Sequence, residues 1–394
     1  MLAKRLKDFD SSAIQNAFRL AAEIPDPIDL SIGYPEDDTP DYIKAAAIRA
    51  IKNGFTRYTA SNGTFELREA IAEKLRRENK IMLTPDDVSV TPGVTTGILL
   101  TYLALLDPGD EILIPDPYFP PYRDLAIMLG AKPVYVDTYP SFQLTADLIR
   151  PHITRRTKAL LINSPNNPSG AVYAKKQLKE IAKLAKEHDL IIISDEIYEH
   201  FAYDESHFSI GSIYPKTVTL NGFSKAYAMT GWRIGYIAGP PQIISAINEL
   251  QQYAVFSSSS IGQKAAMAAF RHSSDILTAK YRSKRDLTRE LLKGQFDLQA
   301  AQGAFYAYVP VPAGYDDLSF VELAASHGVI VLPSRAFSQH HNYVRIAFAA
   351  KRKPLAKGLK LLCKLAVQEA VNIPAKPVKS FPSLLRKALR DRAV

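Results

Sequence analysis

The sequence predicts an α/β protein: a large domain with a mostly parallel seven-stranded sheet between helices, plus a smaller α+β domain. Three observations carry this. From about residue 45 to 275, short β-branched runs alternate with longer amphipathic patterns, the order that builds a sheet between helix layers. Two of the runs, Ala159-Leu160-Leu161-Ile162 and Leu190-Ile191-Ile192-Ile193, are apolar at every position, as a strand covered on both faces must be. After about residue 276 the alternation stops and a mixed pattern replaces it.

The expected strands of the large sheet are Val88–Thr91, Glu111–Pro115, Pro133–Val136, Ala159–Asn163, Leu190–Ser194, Thr217–Leu220 and Ile234–Ala238. Helical spacing fills the gaps, as in Lys175–His188, where Leu178, Ile181, Leu184 and Ala185 fall on one face. Beyond the sheet, Asp275–Gly294 reads as a charged helix and Gly303–Val309 as a strand. Phe320–His327 reads as a helix, Val329–Pro333 and Tyr343–Ala349 as strands, and Pro354–Val371 as a last helix. The domain expectation is therefore a large domain over 46–275, a small domain from 1–45 and 276–370, and a basic C-terminal extension over 371–394. A helix at Ser12–Ala22 is expected to pack on the small domain.

Composition is that of an ordinary globular protein, with 47% apolar and 23% charged residues. No apolar run approaches the roughly 18 residues of a membrane span, and the N-terminus lacks the apolar stretch of a secretory signal. The sole cysteine, Cys363, rules out an intrachain disulfide, fits a reducing compartment and reads as a small buried helical residue. These features point to a cytoplasmic protein. Of the net charge of +9, the extension 371–394 carries +5, with Lys376, Lys379, Arg386, Lys387, Arg390 and Arg392 against Asp391. The body is only mildly basic. The extension reads as a solvated or self-packing segment rather than a surface for nucleic acid or membrane.

Polar residues cluster just after the strands. Gly93, Val94 and Thr95 follow the first, Phe119 the second, Asn167 the fourth, Asp195 the fifth and Lys225 the sixth. Ligands of open α/β sheets bind at these carboxyl ends. Lys225 lies in Asn221-Gly222-Phe223-Ser224-Lys225-Ala226-Tyr227-Ala228-Met229-Thr230-Gly231-Trp232-Arg233, a segment with a second cation and no acid. Desolvation and a neighbouring positive charge both lower a lysine pKa, which suits Schiff-base chemistry.

Asp195 ends an apolar strand, where a carboxylate needs a cation or proton donor, although a helix cap would also place an aspartate there. Ser164-Pro165-Asn166-Asn167-Pro168-Ser169-Gly170 is dense in turn formers, and its amide could serve either a rigid turn or a phenolate oxygen. Tyr198 could donate to the same oxygen. Thr91-Pro92-Gly93-Val94-Thr95-Thr96-Gly97 leads from a strand into a helix and can bind an anion on free amides, assisted by Ser224 and Arg233. Phe119 could stack on an aromatic ring or be a core residue. Lysine, carboxylate, phenolic donors, stacking face and phosphate cradle together suit pyridoxal 5'-phosphate.

On these segments the chain resembles a fold-type I, class I/II aminotransferase of the aspartate/aromatic group, over about residues 5–370. Ser164–Gly170, Ser194–Tyr203 and Asn221–Gly235 are the most specific matches, and the archaeal-type aromatic enzymes are the most similar in character. The resemblance implies Lys225 as the Schiff-base lysine and Asp195 as partner of the pyridine nitrogen. It implies Asn167 and Tyr198 at the phenolic oxygen, Phe119 on the ring, and Gly93, Val94, Thr95, Ser224 and Arg233 at the phosphate. It also implies a homodimer whose Tyr58 reaches the phosphate held by the other subunit. Arg345, a cation inside the apolar strand Tyr343–Ala349, is then the clamp for the substrate α-carboxylate, assisted by the Gly33 backbone. A structural ion pair is its bland alternative.

The implied activity moves the amino group of an aromatic or neutral L-amino acid, or of aspartate, to a 2-oxo acid such as 2-oxoglutarate. A C–S lyase on the same fold would need the same residues. A regulatory protein with an aminotransferase-like domain would need an added DNA-binding module, for which the N-terminal ~45 residues are too few. Two departures bear on specificity. Pro333-Ser334-Arg335-Ala336-Phe337-Ser338 replaces a common Pro-Gly-x-x-Phe-Gly pattern, and Gln251–Ser260, where an animal-type aspartate enzyme would place its distal arginine, has no cation. The second leans toward aromatic or neutral substrates, with Arg335 or another cation left as a candidate receptor for an acidic side chain.

Overall fold

The computed structural model describes residues 24–271, 275–296, 298 and 301–367. The helix expected at Ser12–Ala22 and the extension 371–394 lie outside the described residues. The described chain opens with β1 (Ile28–Asp29) and helix α1 (Asp41–Lys52). Helix α2 (Phe65–Lys74), prolonged by a π-helical turn over Leu75–Asn79, leads to β2 (Val88–Thr91). Alternation follows: α3 (Val94–Leu105), β3 (Glu111–Asp116), α4 (Pro120–Met128), β4 (Lys132–Asp137), the short α5 (Ala146–Ile149), β5 (Thr157–Asn163), α6 (Lys175–Glu187) and β6 (Ile191–Asp195). Then come β7 (Thr217–Gly222), β8 (Gly235–Ala238), α7 (Pro241–Ala254) and α8 (Ser260–Ala269).

Strands β2 to β8 form one seven-stranded sheet in the order β2-β8-β7-β6-β5-β3-β4. Every pairing is parallel except those of β8, which runs antiparallel to β2 and β7. Alternate residues of one strand feed opposite cores, as the two-residue period requires. Ala159 and Leu161 of β5 join Ile98 of α3, Ala126 of α4 and Ile244 of α7. Leu160 and Ile162 join Leu178, Ile181, Leu184 and Ala185 of α6 on the other side. This two-sided covering is the physical reason the β5 and β6 segments are apolar throughout. Proline at the first two positions of α4 presets its entry after Phe119.

The remaining elements are α8's successor α9 (Asp275–Leu292), β9 (Tyr306–Pro310), α10 (Asp317–Ser326), β10 (Val329–Ile330), β11 (Leu332–Pro333), β12 (Tyr343–Ala347) and α11 (Arg352–Val367). Strands β11, β12 and β9 form an antiparallel sheet, while β10 pairs in parallel with β1. The single strand expected over Val329–Pro333 is thus two, in different sheets. Val331 lies between them, fully buried, and the chain changes partner there. Cys363 is half-buried on α11, with its thiol donating to the Leu291 carbonyl at 3.2 Å. Among the described residues no helix is long and apolar enough to cross a membrane.

The core around α9 and α11 also takes in Tyr198 and Phe201, which follow β6 and pack on Phe305 and Tyr306. The ends of the large sheet therefore meet the three-stranded sheet directly, and a cavity opens at that junction.

Candidate active site

The cavity measures about 270 Å³. Of the residues singled out from sequence, Gly33, Val94, Thr95, Phe119, Asn167, Asp195, Tyr198, Ser224, Lys225, Arg233 and Arg345 line it. Gly93 lies immediately behind. Its φ of 82° starts α3, and a Cβ there would sit 2.4 Å from Arg233 Nη2, so only glycine lets the guanidinium approach the helix start. Tyr58 is not in the lining; it is 84% exposed and packs edge-on against Phe256.

Lys225 follows β7 in a tight turn, with Nζ donating to the Gly33 carbonyl at 2.6 Å. No carboxylate pairs with it among the described residues. Its pKa is lowered to about 8, by burial first, then by the positive charge of Arg345, with Arg233 adding and Asp195 opposing. The expected depression is present, but its larger cationic source is Arg345 from a distant strand, not the neighbour in sequence.

Asp195 is buried at the end of β6. It accepts from Tyr122 Oη at 2.8 Å and from the Ile197 amide at 3.1 Å. Burial raises its pKa to about 6, against the lowering by those two donors. A buried carboxylate with no paired cation among the described residues is the environment a protonated ring nitrogen would complete. The cap reading also holds in part, since the Ile197 contact is local.

Asn167 sits on a turn that fastens itself. Asn163 Oδ1 accepts from the Asn167 amide at 2.8 Å, and Asn166 Oδ1 accepts from the Ser169 amide and hydroxyl at 3.0 and 2.7 Å. Tyr198 and Tyr306 share a hydroxyl contact of 2.9 Å. At the far end, Val94, Thr95, Ser224 and Arg233 surround the start of α3, a twelve-residue helix with free N-terminal amides. Arg233 holds a left-handed backbone, φ 56°, and donates to the Thr230 carbonyl at 3.0 Å. Such a conformation costs a non-glycine residue about 1–2 kcal/mol. No carboxylate pairs with this guanidinium among the described residues, which leaves it for an anion. Phe119 lies on the cavity wall, edge-on to Tyr122 at 5.5 Å between ring centres. The donor set therefore fits pyridoxal 5'-phosphate at each of its functional groups.

Arg345 is buried on β12. Nη1 donates to Asn167 Oδ1 at 3.0 Å and Nη2 to the Ser31 carbonyl at 2.7 Å, while Nε has no partner. The Tyr306 and Phe337 rings pack on the guanidinium at 4.4 and 4.6 Å. Burial lowers its pKa. The structural ion-pair reading is therefore overturned, since no acid faces Arg345 among the described residues. The alternative role for Arg335 also falls. Its Nε and backbone amide bind Asp317 at 3.0 and 2.7 Å, and Nη2 reaches Asp316 at 3.2 Å, outside the cavity.

Sequence reasoning missed Ser31, Tyr122, Ile197, Thr230, Tyr306, Leu332 and Phe337, all of which line the cavity. Tyr122 had a local signal: it follows Phe119 by three residues, one turn along the α4 start. Tyr306 had a weaker one, as a tyrosine in the strand beside that of Arg345. Ser31, Leu332 and Phe337 arrive by long-range packing.

Fold and cavity together define an α/β enzyme that handles small anionic molecules between an amine and two arginines. The particular family follows from comparison: the model of aminotransferase class I and II matches residues 25–359, and the chain belongs to that family. The chain is 39% identical over 374 residues to the aspartate/prephenate aminotransferase of Thermus thermophilus, covering 91% of this chain and 97% of that protein. Aromatic-amino-acid aminotransferase 2 of Thermococcus litoralis is 38% identical, with 91% and 96% covered. The solved structure of Thermus thermophilus aspartate aminotransferase with maleate superposes with a TM-score of 0.90 at 38% identity, covering 93% of this chain and 99% of that one. The protein is an aminotransferase.

Proposed function

We propose that the enzyme uses pyridoxal 5'-phosphate to move the amino group of an aromatic or neutral L-amino acid to a 2-oxo acid such as 2-oxoglutarate. The carrying observation is that Lys225, Asp195 and Arg345 converge on one cavity, Asp195 and Arg345 buried and Lys225 partly so, and none in an ion pair among the described residues. When bound, the cofactor supplies an electron sink for the charge left at the substrate Cα. Asp195, held by Tyr122, would keep its ring nitrogen protonated, while Asn167 and Tyr198 would meet its phenolic oxygen. Arg233, Ser224, Thr95 and the amides after Gly93 would hold the phosphate, and Phe119 its ring.

Arg345 binds the α-carboxylate with planar donors, and Asn167 and Ser31 keep the guanidinium aligned. The Lys225 amine, with a pKa near 8, holds and returns the Cα proton at neutral pH. Leu332, Phe337 and Ile197 line the side-chain space with apolar surface. Lys225, Arg233 and Arg345 are the cations of this lining among the described residues, and the apolar Ile197, Leu332 and Phe337 beside them support an aromatic or neutral donor.

The same reading includes a homodimer. Tyr58 and Phe256 pack edge-on, and they and Tyr253 are 84%, 44% and 84% exposed, as aromatics that a subunit partner covers would be. It also treats 46–275 as the cofactor-holding domain and 1–45 with 276–370 as the small one. Their separate sheets support this, and α1 runs across the boundary at 46.

A panel of Asp, Tyr, Phe, Ala and Leu with 2-oxoglutarate tests the substrate. Phe and Tyr should be turned over fastest and leave the enzyme in its amino-cofactor absorbance. Ammonia and pyruvate without that spectral change would mean a lyase. Preferred turnover of Asp would overturn the substrate class.

A further inference from the structure

The segment Ser334–His340 joins β11 to β12 and carries Phe337, which packs on Arg345 and lines the cavity. It is fastened at both ends by side chains that the resembled pattern would lack. Ser334 Oγ donates to Asp317 Oδ2 at 3.1 Å and accepts from the Tyr343 amide at 3.2 Å, while Arg335 grips Asp317. At the other end Ser338 Oγ, buried, accepts from Tyr139 Oη at 2.8 Å and from the His340 amide at 2.9 Å. Tyr139 follows β4 at the far edge of the large sheet. Its hydroxyl also meets Tyr308 Oη at 3.1 Å, and Tyr308 pairs in register with Arg345. One phenol thus contacts both the Phe337 loop and the strand beside the arginine.

Resting on the reading of Arg345 as the carboxylate clamp, we propose that Ser338 and Tyr139 are positioning residues: their hydroxyl pair holds Phe337 on the Arg345 guanidinium and so sets the grip on the substrate α-carboxylate. Among the described residues Arg345 has one unpartnered donor and no acid to orient it, so its direction depends on Asn167, Ser31 and the two rings. A loosened Phe337 would let the guanidinium tilt away from planar, two-point binding. The loop would still dock without the pair. Tyr118 N donates to the Phe337 carbonyl at 2.7 Å, and Gln339 N to Asp116 Oδ2 at 2.9 Å. Loss of either hydroxyl should therefore affect alignment rather than folding.

The test uses holoenzyme carrying Tyr139→Phe, Ser338→Ala or both. The readouts are kcat, KM for phenylalanine, melting temperature, and the calorimetric Kd of 3-phenylpropanoate, a carboxylate with no amino group. Each single variant should raise KM and Kd about five- to tenfold, the size of one lost hydrogen bond. The double variant should cost less than the product of the singles, because the Tyr139–Ser338 contact is lost in both, although Tyr139→Phe also loses the Tyr308 contact and Ser338→Ala the His340 amide, and kcat should stay within about twofold. Three results overturn the proposal: KM and Kd unchanged in both singles, effects that multiply in the double, or a lowered melting temperature with unchanged Kd. If the wild-type holoenzyme neither binds the probe nor turns over, the clamp assignment itself fails. If it does both and the variants match it, only the hydroxyl pair is wrong.

Discussion

Two charge clusters, centred on Asp195 and on Glu199 four residues later, are built on opposite plans. In one, Lys74 and Glu199 form a buried ion pair, Asn79 accepts from Lys74 at 2.7 Å and donates to Glu199 at 2.7 Å, and Asn221 donates to Glu199 at 2.7 Å. Burial pushes the Glu199 carboxyl up, but Lys74 and the nearby histidines outweigh it and hold it well below the usual range. Glu196 and His207 extend the network through Ser209. In the other cluster, Asp195, Lys225 and Arg345 share a cavity with no ion pair, and each has its pKa displaced toward neutrality. The first cluster closes on itself and ties β6 and β7 to α2. The second leaves its charges open, at a cost that only a ligand can offset. Glu196, Glu199 and His207 have metal-ligand character, but Lys74 and Asn79 already bind the Glu199 carboxylate, and Ser209 and His207 contact that of Glu196.

Four changes break or sharpen this contrast. Lys225→Ala should cost the most, about 10⁴-fold or more in turnover, since it removes the proposed cofactor anchor and proton carrier. Its fold should survive, with circular dichroism unchanged and the lysine-bound absorbance gone. Glu199→Ala should do the reverse. It strands a buried lysine and should destabilise the protein by about 3–5 kcal/mol in urea titrations, while the folded fraction keeps its turnover per site. Equal losses of turnover per site in both variants would erase the distinction.

The third change is in pH. In cofactor-free protein, Lys225 titrates near 8 against an ordinary 10.5. Between those values the unfolded state binds more protons, so stability rises with pH through this window. The stability deficit of wild type relative to Lys225→Met should be on the order of 3 kcal/mol below pH 8 and should shrink toward pH 10.5. A pH-independent difference would mean the amine is not buried as a cation. The smallest effect is Tyr122→Phe. Removing the hydroxyl that favours the Asp195 carboxylate should move its titration above about 6 in the cofactor-free protein, followed by carboxyl NMR. It should slow holoenzyme turnover by up to about tenfold.

Much of the second cluster was readable from the chain because its parts follow strands. Asp195, Lys225, Asn167 and the Gly93–Thr95 turn each end an apolar run, and parallel strands place such ends on one rim. The environment of Lys225 was only half readable. Burial could be inferred from its neighbours, but the cation that depresses it most is Arg345, brought in by the β9–β12 pairing. The Ser334–Ser338 departure was visible as a change of residues with no visible consequence, because hydroxyl partners such as Tyr139 and Asp317 are chosen by packing. Arg335 illustrates the same limit. In sequence it is a spare cation near the substrate loop, and in space it is spoken for by Asp316 and Asp317.

The sequence by itself determined the layered sheet, the rim that carries the cavity and the lysine proposed to react there, because these follow from local periodicity and from what a strand end must expose. The tertiary structure alone decided which charges stay unpaired. It also decided that Tyr122 supports Asp195, and that Phe337 and Tyr306 enclose Arg345. Those outcomes depend on contacts between residues far apart in the chain, where side-chain reach and burial, not sequence spacing, select the partner.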